Sequence, residues 1–100
     1  MIFAFHLIDR PGAGDLRQRA RPEHKAYLAA VADRIAFAGP LTEDDGQTMI
    51  GSLLVIDFDD REAAMRWMME EPFTKAGLYQ QVSVLPFVNL WPQKSGFPPA

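Results

Sequence analysis

Few folds accommodate a strand that is apolar on both of its faces, and residues 49–58 read as one. In an extended chain Ser52, Leu54, Ile56 and Phe58 share one face, while Leu53, Val55 and Asp57 share the other. Such a strand belongs near the middle of a sheet with cover on both sides. Residues 2–8 repeat the pattern, with Phe3, Phe5 and Leu7 of one parity and Ala4, His6 and Ile8 of the other; Asp9 continues the Phe3 side. Residues 82–88 form a third strand, in which Pro86 marks an edge position or a bulge. Leu41 and Thr42 close a short edge strand before the polar hairpin loop at residues 43–47.

Helical signals fall between these strands. Pro11, Gly12, Ala13 and Gly14 are turn chemistry, and Asp15 is placed to cap a short turn ending near Ala20. Pro22 suits the first turn of a helix, where its missing N–H would be unpaired anyway, and Glu23 complements the positive end of the dipole. The main helix is expected to run from there to about Ile35, with Gly39 and Pro40 as stop signals. A second helix carries Ala63, Ala64, Trp67 and Met68 at helical spacing, with Asp59 or Asp60 as its cap and Pro72 closing it. Residues 73–78 read as a further turn.

The order strand, helix, strand, strand, helix, strand is the split βαβ arrangement of a ferredoxin-like α+β domain. It predicts a four-stranded antiparallel sheet with two helices on one face. The other face, also apolar, is then expected to be covered by a second copy, giving a homodimer. The domain is expected to occupy residues 1–91, followed by a Pro/Gly-rich tail at 92–100.

Composition removes several classes of function. Ten basic against thirteen acidic residues give a formal charge of -3, with no run of Lys or Arg to track phosphates, so no nucleic-acid partner is expected. The absence of cysteine excludes disulfides, a thiolate nucleophile and Cys-based metal centres. No signal-like leader and no run of membrane length is apparent, so the expectation is a cytoplasmic protein without a membrane partner.

The residues that suggest chemistry cluster around the main helix. His24 heads the stripe formed with Tyr27, Leu28, Val31 and Ile35, so its ring is aimed inward. Asp9, on the core parity at the end of the first strand, is placed to meet it. A carboxylate on one imidazole nitrogen fixes the tautomer and leaves the other as an acid or base around neutral pH. Arg21 can hold an anionic substrate oxygen, and Ser52 can add a hydrogen bond. Each has a plainer reading: a semi-buried histidine, a strand-ending aspartate, a solvated arginine and a strand-start serine with no nucleophile elbow around it. His6 reads as an interface residue rather than a second base. Two histidines in unrelated elements are a weak metal signal, and neither metal nor cofactor is expected.

Taken in order, Asp9, Arg21-Pro22-Glu23-His24, Ala38-Gly39-Pro40, Gly51-Ser52, Ala63-Ala64, Glu71-Pro72-Phe73, Ala76-Gly77-Leu78-Tyr79 and residues 82–87 resemble the YCII-related (YciI-like) family over all but the tail. The resemblance implies a small dimeric α+β barrel with a His–Asp pair as its proposed active site, a pair that falls on His24 and Asp9. It also implies kinship with proteins that dehydrochlorinate aromatic intermediates. One departure is Glu71, where relatives usually carry Asp before Pro-Phe; the charge is kept but moved by a methylene.

The leading expectation is therefore a small cofactor-independent acid–base enzyme, of lyase, isomerase or dehalogenase type, acting on a small anionic or aromatic molecule. A non-catalytic ligand-binding or interaction module on the same scaffold is the alternative, and a heme-related monooxygenase is the third.

Overall fold

A computed structural model describes residues 1–91 and Gln93. Four strands, β1 (Ile2–Asp9), β2 (Ile35–Thr42), β3 (Met49–Asp57) and β4 (Tyr79–Phe87), form one antiparallel sheet in the order β2-β3-β1-β4. Helices α1 (Gly14–Ala29), α2 (Arg61–Glu70) and the single-turn α3 (Pro72–Lys75) complete the ferredoxin-like α+β fold.

The alternation in β1 and β3 does what the sequence implies on one side of the sheet. Phe3, Phe5, Leu7, Leu54 and Ile56 are buried, and with Phe58, Ala64, Met68 and Val84 they form the core beneath the helices. Trp67 of α2 sets its indole against both Phe5 and Phe58, with ring centroids 5.6 Å away in each case, and its carbonyl accepts from the Tyr27 hydroxyl of α1 at 2.8 Å. Asp60 is the N-cap of α2, accepting from the Ala63 N–H at 2.8 Å. On the far face of the sheet His6, Leu85 and Phe87 are exposed, as is Phe37 of β2. The cover expected on both sides of the two central strands is thus incomplete within one chain.

Several boundaries differ from expectation. The helix expected to begin at Pro22 starts eight residues earlier, so Asp15 sits in its first turn rather than capping a separate one. Pro22 is tolerated inside the helix because it lies on the exposed face; there the carbonyl it leaves without a donor, on Gln18, can be met by water. The same helix ends at Ala29, not near Ile35, and a 3-10 turn (Ala32–Arg34) delivers Ile35 into β2 opposite Ile56. Gly39 and Pro40 therefore lie within a strand. Among the described residues that strand pairs only with β3, and an edge is where a residue lacking an N–H fits a sheet. Residues 73–78, expected as a turn, contain most of α3, and β4 begins at Tyr79 rather than Val82. The expected tail at 92–100 lies outside the described residues apart from Gln93.

Candidate active site

Continuity of α1 through Pro22 decides which side chains reach the sheet. Arg17, Arg21, His24 and Leu28 are spaced by four, three and four residues, and all four line one cavity of about 270 Å³ between α1 and the β2–β3 side of the sheet. Ala38, Pro40, Ser52 and Leu54 supply the opposite wall. Arg17 and His24 are the two buried residues of α1.

Arg17 takes the carboxylate that was expected to serve His24. Its Nε donates to Asp9 Oδ2 at 2.7 Å and its Nη2 to Asp9 Oδ1 at 3.0 Å, a bidentate pair of which both members are buried. Nη2 also donates to Ser52 Oγ at 3.0 Å. The register explains the meeting. Asp9 follows a shift in the β1–β4 pairing at Ile8, and a bulge at a strand end re-aims the side chain that follows it. Ser52 stands opposite Leu7 on β3, on the same side of the sheet.

The carboxylate on His24 is that of Glu71. Glu71 precedes Pro72, which disfavours helical geometry for it, and the residue is extended at φ -64°, ψ 132°. In that conformation it is the N-cap of α3. Its side chain accepts from the Phe73 N–H at 3.2 Å and the Thr74 N–H at 3.3 Å, from the Tyr79 hydroxyl at 3.2 Å, and binds Nδ1 of His24. Glu71 is completely buried, so these partners replace water around the carboxylate. Converging donors are the pattern of an ionised acceptor; Nδ1 then carries the proton, and Nε2 is left as the basic nitrogen of a ring that borders the cavity. The pairing expected between His24 and Asp9 is thus replaced by two pairs, His24–Glu71 and Arg17–Asp9.

Phe73 joins the two pairs. The His24 ring stacks on it at 4.0 Å and 14° between planes, and the Arg17 guanidinium lies 4.7 Å from its centroid. Tyr79 closes the network from the other side. Burial, and after it the charge of Glu71, hold its phenol well above the ordinary tyrosine range, against a smaller opposing pull from Arg17 and Ser52. Of the residues expected at the site, His24, Arg21 and Ser52 line the cavity, and Asp9 is present one contact removed, behind Arg17. His6 is on the exposed far face of the sheet, away from the site.

The sequence reading gives no site role to Arg17, Glu71, Phe73 and Tyr79, although the last three lie in segments that carry the family resemblance. For Arg17 a signal existed in the 17, 21, 24, 28 spacing, which the supposed break at Pro22 concealed. For Glu71 it was the acidic residue directly before a proline, the sequence signature of a helix start.

Residues 1–88 match the profile of the YCII-related domain. Protein YciI of Escherichia coli is 33% identical over 98 residues, an alignment spanning 91% of this chain and all of the relative. A protein of Haemophilus influenzae is 29% identical with the same coverage. Among solved structures, the 5-chloro-2-hydroxyhydroquinone dehydrochlorinase TftG of Burkholderia phenoliruptrix, in complex with 2,5-dihydroxybenzoquinone, is similar with a TM-score of 0.82 and 30% identity. The match covers 88% of this chain and 94% of that one.

Proposed function

Because the chain belongs to the YCII-related family, we propose that it is a small-molecule acid–base enzyme in which His24 moves the proton and Glu71 holds His24. The observation that carries this reading is the buried His24–Glu71 pair at the edge of a cavity. Nε2 of His24 takes a proton from an acidic carbon or hydroxyl of the bound molecule, and Glu71 stabilises the imidazolium that results. Arg21 and Ser52 bind the substrate, and Asp9 serves the site by holding Arg17 in place. A lyase, isomerase or dehalogenase reaction fits this machinery, and the likeness to TftG supports the dehalogenase branch. There, a hydroxyl proton first moves to the chlorine-bearing carbon to give the keto tautomer; His24 then takes a proton from a remaining hydroxyl as the C–Cl bond breaks and chloride leaves, so that net loss of HCl brings the ring to the quinone level without an external oxidant.

The same proposal has the far face of the sheet covered by a second copy, since Phe37, Leu85 and Phe87 expose apolar surface there. Chloride release from 5-chloro-2-hydroxyhydroquinone tests the chemistry. The wild-type chain is expected to release chloride, and His24→Gln to lose roughly 10²–10⁴-fold in rate, the usual contribution of a positioned acid or base. A His24→Gln variant that keeps the full rate removes His24 from the mechanism.

A further inference from the structure

Arg17 is 3% exposed, yet its hydrogen bonds use only Nε and Nη2. Nη1, with two of the five N–H donors of a guanidinium, has no hydrogen-bond partner among the described residues. It is not sealed from solvent either. Among the described residues the buried side-chain polar atom without a partner is Thr74 Oγ1, and Arg17 forms part of the cavity wall. A buried cation is therefore pinned by Asp9, with a donor edge open to the cavity in which His24 stands.

The cavity mouth adds charge of the same sign. Arg21 and Lys25 line it, and no Asp or Glu does, in a chain whose formal charge is -3. Asp9 balances Arg17 and Glu71 faces His24, so among the described residues the charge at the mouth that remains unmatched is that of Arg21 and Lys25. The body of the cavity is apolar, with Leu28, Leu54, Ala38 and Pro40, and its volume of about 270 Å³ leaves room for one ring and its substituents.

We propose that this cavity binds a small organic dianion, one anionic oxygen on Nη1 of Arg17 and the second charge between Arg21 and Lys25, with an apolar body of a single ring against Leu28 and Leu54. The proposal rests on the reading that the cavity is the reaction site, and it deepens that reading by naming the class of substrate. Phe73 carries both the Arg17 guanidinium and the His24 ring, so an oxygen held by Arg17 brings the atom bonded to it close to His24. When a C–H or O–H bond beside that oxygen breaks, the proton goes to Nε2 of His24 and the electron pair stays on the bound molecule, delocalised over its ring. The guanidinium then faces the charge as it develops.

Titration calorimetry on the full chain, with phthalate, benzoate and benzamide as probes, tests the proposal without needing turnover. Phthalate is expected to bind about 10-fold more tightly than benzoate, the fold-change of one charge-assisted contact, and benzamide more weakly than either. The double variant Arg21→Gln/Lys25→Gln, altered only at the cavity mouth, is expected to bind phthalate no better than benzoate. Arg17→Lys, which keeps a charge for Asp9 but not the fork, is expected to lose about 10-fold for both anions. Benzamide binding as tightly as phthalate, phthalate affinity unchanged in the double variant, or binding of none of the three at millimolar concentration overturns it. Should Arg17→Lys fail to fold, the double variant alone decides. Dianion binding together with full turnover in His24→Gln would leave this proposal standing and remove the proton-transfer reading; the reverse pattern would do the opposite.

Discussion

The carboxylate of Glu71 binds Nδ1 of His24 and at the same time caps the helical turn that begins at Pro72. One side chain thus orients the candidate base and fixes the entry of α3. Glu71→Gln keeps the size but replaces one acceptor oxygen with a donor, which faces N–H and O–H groups that are themselves donors. The expected outcome is a stability loss of about 1–3 kcal/mol in urea unfolding. Turnover should fall on the scale of the His24→Gln variant, because Nδ1 loses the partner that defines its protonation. Wild-type activity in a folded Glu71→Gln chain would count against the pair.

Asp9 and Arg17 form the other buried pair, and its two members are not equivalent to their neighbours at the surface. The exposed Arg66–Glu62 pair on α2 is expected to contribute well under 1 kcal/mol. Asp9→Ala leaves a buried guanidinium without its carboxylate and should destabilise by about 3–5 kcal/mol. Adding Arg17→Met to it should restore part of that loss, and a double-mutant cycle measured by denaturant titration gives the coupling.

Tyr79 makes a prediction in alkali. Its phenol is held above the ordinary value of 10.0, first by burial and then by Glu71. The folded chain therefore keeps this proton to a higher pH than the unfolded chain does. The contribution is fully present below pH 10.0 and is lost as pH rises from there toward the raised folded value. Tyr27, the other tyrosine, is shifted in the same direction, again chiefly by burial. Ultraviolet titration should show phenolate appearing late and together with loss of structure. Tyr79→Phe should flatten the alkaline fall in stability, at a cost of about 0.5–1.5 kcal/mol below it for the lost hydrogen bond.

The far face of the sheet makes a prediction about assembly. Leu85 is 60% exposed on β4, beside Ala4 of β1. If a second copy covers this face, Leu85→Glu should shift sedimentation from dimer to monomer with the far-ultraviolet spectrum unchanged. A wild-type chain that sediments as a monomer at every concentration would falsify the dimer proposal.

Much of the scaffold was legible because strand parity is a strict rule. Asp9 follows Phe3, Phe5 and Leu7 onto the helix side, and Ser52 shares a face with Leu54 and Ile56, as read from the sequence. His24 was also legible as an inward residue. Its partner was not, because partners depend on where elements end. A helix opened at Pro22 leaves Arg17 in a detached turn and Asp9 free for His24. The actual helix is held by packing across its length, which outweighs one lost hydrogen bond on a wet face, and it brings Arg17 down onto Asp9 first. Glu71 was hidden for a related reason: a proline that ends one helix can also begin the next, and only the second role aims the residue before it.

The polar groups around Phe73 come from β1, α1, β3, the N-cap of α3 and the first residue of β4, and His24 and Glu71 are separated by 47 positions in the chain. No local segment holds a working fragment of this arrangement. A chain arrested before β4 joins β1 would possess its core helices and a hairpin but no organised acid–base centre. Turnover in this small protein is therefore a direct measure of the fraction of molecules that have completed folding, and refolding followed by activity should lag behind refolding followed by helix content.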